Sequence, residues 1–190
     1  LNIHKSYLEA GCDIITTNTF LANRINLKDS NYSLEEIVKN AIYLAKEATK
    51  NYKNKLVALD VGPIIMNRYN LSEKEAYEIF KEVVVLGEKY DVDLILFETM
   101  MSLEEMKIGI KACIENTKLP IFCSMTFDKE EKSLDGKSIE TVISEVNRLD
   151  IDAFGINCSF GAKESLKIVE KLCKLSNKKV IAIPNAGIPK

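Results

Sequence analysis

The sequence predicts an α/β protein of the (β/α)8 barrel type, and three observations carry that expectation. Short apolar runs alternate strictly with amphipathic stretches, several runs end in polar or special residues, and no G-x-G-x-x-G turn follows an early run. Strict alternation implies parallel strands joined by right-handed crossovers, which leaves a barrel or an open doubly wound sheet. A dinucleotide-binding open sheet would carry the glycine-rich turn. A ring of polar strand ends fits a barrel mouth instead.

Six runs read as buried strands: Asp13-Ile14-Ile15, Leu56–Leu59, Leu94–Phe97, Ile121–Met125, Ala153–Ile156 and Val180–Ile183. Their spacing of roughly 30 to 40 residues extrapolates, with two units added, to about 250 residues, the usual barrel size. The expected architecture is therefore an incomplete barrel, with strands 2 to 7 present and strands 1 and 8 missing. Residues 1–190 read as a single partial domain, without linker, low-complexity segment or longer repeat.

Two helices follow from periodicity. Residues 35–50 align Ile37, Ala41, Leu44, Ala45 and Ala48, and residues 73–90 align Ala76, Ile79, Phe80, Val83 and Leu86. The pairs Ser33 and Glu36, Ser72 and Glu75, and Ser102 and Glu105 have capping-box spacing, in which each partner satisfies a free backbone donor of the other.

Composition narrows the function. Of 190 residues, 46% are hydrophobic and 28% charged, ordinary for a globular protein. Twenty-six basic against 28 acidic residues give a net charge of −2, which supplies no footprint for nucleic acid or an anionic membrane. No apolar run reaches the roughly 20 residues of a membrane span, and Leu1–Lys5 lacks a signal-peptide layout. A cytoplasmic setting follows as the default. Five cysteines, at 12, 113, 123, 158 and 173, form no C-x-x-C pair, which argues against a disulfide scaffold or a self-contained zinc finger. The chain begins with Leu, and Pro184–Lys190 looks like a loop, so the sequence reads as part of a longer protein.

The chemistry-bearing positions lie at strand ends. Cys158 follows the run Ala153–Ile156 and is the candidate for a metal-bound thiolate; a buried structural thiol and a nucleophile are the alternatives. The nucleophile reading needs a histidine base, and the one histidine is His4. Glu98 closes Leu94–Phe97, where a carboxylate is costly unless a ligand ammonium or a Lys or Arg pairs with it. Asp60, before Gly62-Pro63, is either a site carboxylate or a turn former. Thr16, Thr17, Asn18 and Thr19 line a polar pocket or cap a helix. Phe122, Met125 and Phe127 read as core and rim packing.

Five motifs in order, Thr16-Thr17-Asn18-Thr19-Phe20 after Tyr7-Leu8-Glu9-Ala10-Gly11, Asp60-Val61-Gly62-Pro63, Phe97-Glu98-Thr99, Gly155-Ile156-Asn157-Cys158-Ser159 and Pro184-Asn185-Ala186-Gly187, resemble the homocysteine S-methyltransferase family. Met125-Thr126-Phe127-Asp128 with Ser133-Leu134-Asp135-Gly136 is most similar to the homocysteine-binding module of cobalamin-dependent methionine synthases. The resemblance implies a barrel whose mouth holds Zn2+ through three cysteine thiolates, with homocysteine sulfur in the fourth position. Cys158 would be the one zinc ligand in this chain, the other two being expected beyond Lys190. Glu98 would take the substrate ammonium, Thr17 or Asn18 would touch the polar end, and Asn157 and Asp60 would shape the site. Zinc coordination would deprotonate the homocysteine thiol, and the resulting thiolate would take the methyl group to give methionine. The implied donor is methylcobalamin or 5-methyltetrahydrofolate, held by possible downstream folate and cobalamin modules. Betaine or S-methylmethionine as donor, and a non-catalytic truncated barrel, are the competing expectations.

Overall fold

The computed structural model describes residues 1–187. Six strands, β1 (Ile14–Thr16), β2 (Leu56–Val61), β3 (Leu94–Met100), β4 (Ile121–Met125), β5 (Ala153–Gly161) and β6 (Lys179–Asn185), form one parallel sheet. Helices α1 (Asn2–Glu9), α2 (Leu34–Thr49), α3 (Glu73–Lys89), α4 (Leu103–Asn116), α5 (Ile139–Val146) and α6 (Ala162–Leu175) alternate with them. The strands pair in chain order from β1 to β6 with no reversal. A doubly wound sheet reverses at its switch point, so this order selects the barrel progression. The sheet curls into a half-barrel of six strands, against eight in a closed (β/α)8 barrel. Among the described residues no helix is long and apolar enough to cross a membrane.

Pleating divides each strand between two environments. Ile15, Val57, Leu59, Ile95, Phe97, Cys123, Phe154 and Ile156 face the helices and join the main core. Ala58, Leu94 and Leu96, with Ile14 and Phe122 against them, form a smaller apolar cluster on the concave side. Register ties that cluster together through Ala58 beside Leu94, Leu96 beside Phe122 and Phe122 beside Ala153. Continuing the same alternation toward the strand ends puts Asp60, Glu98, Ser124 and Asn157 on the concave face. Burial of a large side chain such as Phe97 or Phe154 contributes on the order of 2–3 kcal/mol. Phe80 of α3 meets Phe97 edge-on, with ring centroids 5.8 Å apart.

All six expected strands are present, and several differences are instructive. On α2 the buried stripe is Val38, Ile42, Ala45 and Ala48, rotated by about one residue from the expected face, and Leu44 is exposed. The α3 stripe matches at Ala76, Ile79, Phe80 and Val83 but continues through Val84 and Gly87, leaving Leu86 half-buried. Strand β6, expected to be buried, is half-buried at best, because among the described residues nothing flanks it beyond β5. Pro184 and Asn185 belong to β6 rather than to a loop; Asn185 pairs with Gly161, and Ile188–Lys190 lie outside the described residues.

The serine caps also divide. Ser33 and Ser72 form complete capping boxes with Glu36 and Glu75. Ser102 accepts from Glu105 N–H, but the Glu105 carboxylate does not return the bond. It lies buried and accepts from the backbone N–H groups of Ile64, Ile65 and Met66, at 2.6, 3.1 and 2.9 Å. The N-terminus of α4 is covered instead by Asp135, which accepts from Ser102 Oγ and Leu103 N. Glu105 and Asp135 thereby fasten the loops after β2 and β4 to α4.

Glycine is required where backbones touch. A Cβ on Gly155 would lie 1.7 Å from the Ile181 carbonyl oxygen, inside the β5–β6 ladder. At Gly62 it would lie 2.4 Å from the Phe20 carbonyl oxygen, which accepts the Gly62 N–H. Gly155→Ala is expected to destabilise the protein by about 2–4 kcal/mol by prising β6 from β5. Denaturant unfolding measures this, and an unchanged midpoint would show that the ladder can relax around a methyl group.

Candidate functional site

The strand ends are irregular where the chemistry lies. Pairing of β3 with β4 shifts register between Phe97 and Met100, and pairing of β5 with β6 shifts between Asn157 and Gly161. Such irregularities re-aim side chains and cluster beside active sites. Glu98 sits in the first and Cys158 in the second. Beside them, Thr99 and Cys158 adopt φ values of 56° and 50°, the left-handed region that a β-branched residue strongly disfavours.

Asn157 holds this backbone in place. Its Oδ1 accepts from Thr99 N at 3.2 Å, and its Nδ2 donates to Thr99 Oγ1 at 2.6 Å and lies 3.4 Å from Cys158 Sγ. Ser124 Oγ is a second acceptor for Thr99 N, at 3.4 Å. Asn157 is buried, so its amide is committed to the strand ends on both sides of β4. The turn at Cys158 is further fixed by Ser159, whose Oγ accepts from Phe127 N at 2.9 Å and donates to Asn157 O at 3.1 Å. Phe127 and Met125 are core, as expected, while Phe122 packs on the concave cluster.

Asp60 is 6% exposed. Its backbone is pinned, N–H donating to Thr17 Oγ1 at 3.1 Å and carbonyl accepting from Thr19 Oγ1 at 2.7 Å, while the two threonine hydroxyls bond each other at 2.7 Å. Its side-chain Oδ1 is buried without a hydrogen-bond partner. Burial, and secondly the charge of Glu98, push its carboxyl up to about 8. Burial also raises Glu98, which is half-buried. Neither carboxylate forms an ion pair among the described residues, and Glu98 is the charged group felt at Asp60. A buried polar atom without a partner costs about 1–3 kcal/mol, a penalty that a donor at this position would relieve.

The expected site residues thus separate. Asp60, Glu98 and Asn157 share the concave mouth, and Cys158 adjoins them at the end of β5. Thr17 is 1% exposed with its hydroxyl committed behind Asp60. Asn18 is exposed and lines a separate cleft with Phe20, Leu21, Ala22, Leu27 and Ile37. His4 lies in α1, which packs on α2 and β1 rather than beside Cys158. Thr99, Ser124, Ser159 and Glu105 have roles here that the sequence does not announce. Thr99 and Ser159 lie inside the quoted motifs and Glu105 in the Ser102 pair, but nothing in residue type marks Ser124 or the long reach of Glu105.

The cysteines divide in the same way. Cys123 is buried against the helices and Cys113 within α4; burial raises both thiols, Cys113 to about 11. Cys12 Sγ donates to Ile14 O, and Cys173 is on α6. Only Cys158 is a thiol exposed at a strand end. Among the described residues no three Cys, His, Asp or Glu side chains converge as a metal site, so Cys158 by itself does not hold zinc.

Asn157→Ala is expected to cost about 2–3 kcal/mol in denaturant unfolding, by stranding Thr99 N–H and removing the support for its left-handed backbone. Adding Thr99→Gly should recover about 1 kcal/mol, because glycine occupies that region without penalty. No recovery would sink the strain account.

A family model described as homocysteine S-methyltransferase matches residues 1–190. Methionine synthase of Mycobacterium tuberculosis is 25% identical over 202 residues, covering 98% of this chain and 17% of that protein. The chain therefore spans well under a quarter of that relative's length. The metallated form of the homocysteine methyltransferase MmuM from Escherichia coli superposes with a TM-score of 0.83 at 20% identity, covering 98% of this chain and 71% of that one. Dihydrodipicolinate synthase DapA-2 from Bacillus anthracis gives a TM-score of 0.54 at 14% identity, covering 96% and 62%. Both structural likenesses speak to the barrel fold. With the family model matched from end to end, the chain belongs to the homocysteine S-methyltransferase family.

Proposed function

We propose that residues 1–190 form the homocysteine-binding part of a methyltransferase that makes methionine. One observation carries the reading beyond the family: two carboxylates with no cationic partner stand at the same sheet mouth as the exposed Cys158 thiol. Homocysteine offers the complementary pair, an ammonium at one end and a sulfur at the other. In this reading Glu98 takes the ammonium and Asp60 stands beside it. Asn157 holds Glu98 and Cys158 in position through Thr99, and Thr17 holds Asp60. Asn18, exposed on the rim, would reach only the outer edge of a bound amino acid.

The sulfur end supports a zinc ion in which Cys158 is one of three thiolates, the other two coming from outside residues 1–187. When bound, such an ion activates a thiol as a thiolate nucleophile. The residues of this chain bind and orient the amino-acid end, and Cys158 supplies one donor. Methylcobalamin or 5-methyltetrahydrofolate is the proposed source of the methyl group, a choice supported by the likeness to methionine synthase. Folate and cobalamin modules in the same full-length protein would then be its partners.

In the full-length protein, Cys158→Ala is expected to remove homocysteine methylation and lower zinc content. Glu98→Gln should leave zinc in place and raise KM for homocysteine on the order of a hundredfold, the loss of one charge-assisted contact. Metal analysis with methionine formation from each candidate donor, betaine and S-methylmethionine included, reads both. Wild-type zinc and turnover in Cys158→Ala would overturn the assignment.

A further inference from the structure

Asp60 and Glu98 occupy adjacent parallel strands on the same face of the sheet. Asp60 is in register with Leu96, and Glu98, two residues on at the irregular end of β3, lies close enough for its charge to act on Asp60. Among the described residues Asp60 has no ion-pair partner, and its side-chain Oδ1 has no hydrogen-bond donor. From the end of β1 come Thr17 and Thr19, already committed to each other and to the Asp60 backbone. From β3 comes Glu98, and farther along the face β4 and β5 offer only Ser124 and Asn157. Behind the sheet, α2 and α3 turn Val38, Ile42, Ala76 and Ile79 inward. Among the described strand residues that register places on the concave face, the cation is Lys179, which pairs with Ala153 at the opposite end of the sheet. A buried, unpartnered Asp60 Oδ1 therefore lies within the field of a second carboxylate, and among the described residues neither of the two forms an ion pair.

We propose that Asp60 and Glu98 form a proton-holding pair that releases its proton when a ligand ammonium docks between them. The exchange rests on the reading of this mouth as the amino-acid end of the homocysteine site, and adds to it a coupled proton. In the empty protein the pair is one carboxylic acid and one carboxylate, net charge −1. After docking it is two carboxylates and one ammonium, again −1, with one proton passed to water. The pocket thus exchanges one monovalent cation for another and never holds two bare carboxylates. The raised Asp60 carboxyl supplies the proton near neutral pH.

The sign follows from linkage. Docking requires deprotonated Asp60, so affinity for the ammonium is full above the raised value and falls as pH drops below it. With Asp60 at about 8, binding should weaken on the order of fifty-fold between pH 8 and pH 6.

The test uses the full-length protein and L-methionine, whose thioether has no proton to lose, so that release at sulfur does not intrude. Calorimetry in buffers of different ionisation enthalpy should read close to one proton released per methionine at pH 7. Asp60→Asn should abolish the release and flatten the pH dependence. Infrared difference spectra of the unliganded protein, which need no variant, should show a protonated-carboxyl band at pH 7 that bleaches on adding methionine. Glu98→Gln should move the loss of that band to lower pH, since burial, the larger cause of the shift, remains. Methionine binding with no proton release, or no such band, would overturn the exchange while leaving the homocysteine reading intact. Failure of both methionine and homocysteine to bind at any pH would overturn that reading, and the exchange with it.

Discussion

The site depends on one side-chain amide. Asn157 lies on β5, yet its two hydrogen-bonding ends reach Thr99 on β3, with β4 between them. The bond to Thr99 N–H at 3.2 Å and the bond to its hydroxyl at 2.6 Å stabilise a left-handed φ that threonine disfavours by about 1–2 kcal/mol. Two hydrogen bonds at about 1 kcal/mol net each are enough to hold it. What they hold is the local twist that aims Glu98. The same side chain lies 3.4 Å from Cys158 Sγ, so the carboxylate and the thiol are positioned by one group. A hydrophobic residue at 157 would preserve the sheet and lose the site.

The fold and the site meet at the sheet's two faces. On the convex side, apolar residues from every strand pack on the helices, and this side supplies most of the burial. The concave side is apolar only in its lower layers, through Ala58, Leu94 and Leu96. One pleat higher the same alternation carries Asp60 and Glu98, whose desolvation is offset by no cation in the described chain. Loops secured elsewhere make this arrangement tolerable. Glu105 satisfies three consecutive amides after β2, and Ile65 among them is itself left-handed, with φ of 58°. Gly62 admits the Phe20 carbonyl against the same strand end. Asp60 is thus buried by a framework that does not neutralise it.

How much of this could be read from sequence follows from which signals are local. Strands β1 to β5 announce themselves as apolar runs, and Glu98 and Cys158 stand out as polar residues that end such runs. The face of α2 was ambiguous because Ile37-Val38, Ala41-Ile42 and Leu44-Ala45 put apolar residues side by side, so two stripes fit one period. Ser102 and Glu105 have the spacing of a capping box, and only the distant backbone of Ile64–Met66 shows that the glutamate turns elsewhere. The left-handed backbone of Thr99 was invisible because a threonine at the end of an apolar run predicts extended backbone, the opposite of what Asn157 supports. Backbone amides 39 to 41 positions away decide the Glu105 case, and a side-chain amide 58 positions away decides the Thr99 case.

The spacing of the strands gives the functional reading its shape. Strands β3 and β5 are two hydrogen-bonding intervals apart, roughly 10 Å. Glu98 and Cys158 both lie in the irregular ends of these strands. In the proposed reading homocysteine would bridge the two, its ammonium at the carboxylate and its sulfur toward the thiol. On the proposed reading the sheet itself would measure the substrate: charge at β2 and β3 would select the ammonium, and the spacing of the strands would set where the sulfur can lie.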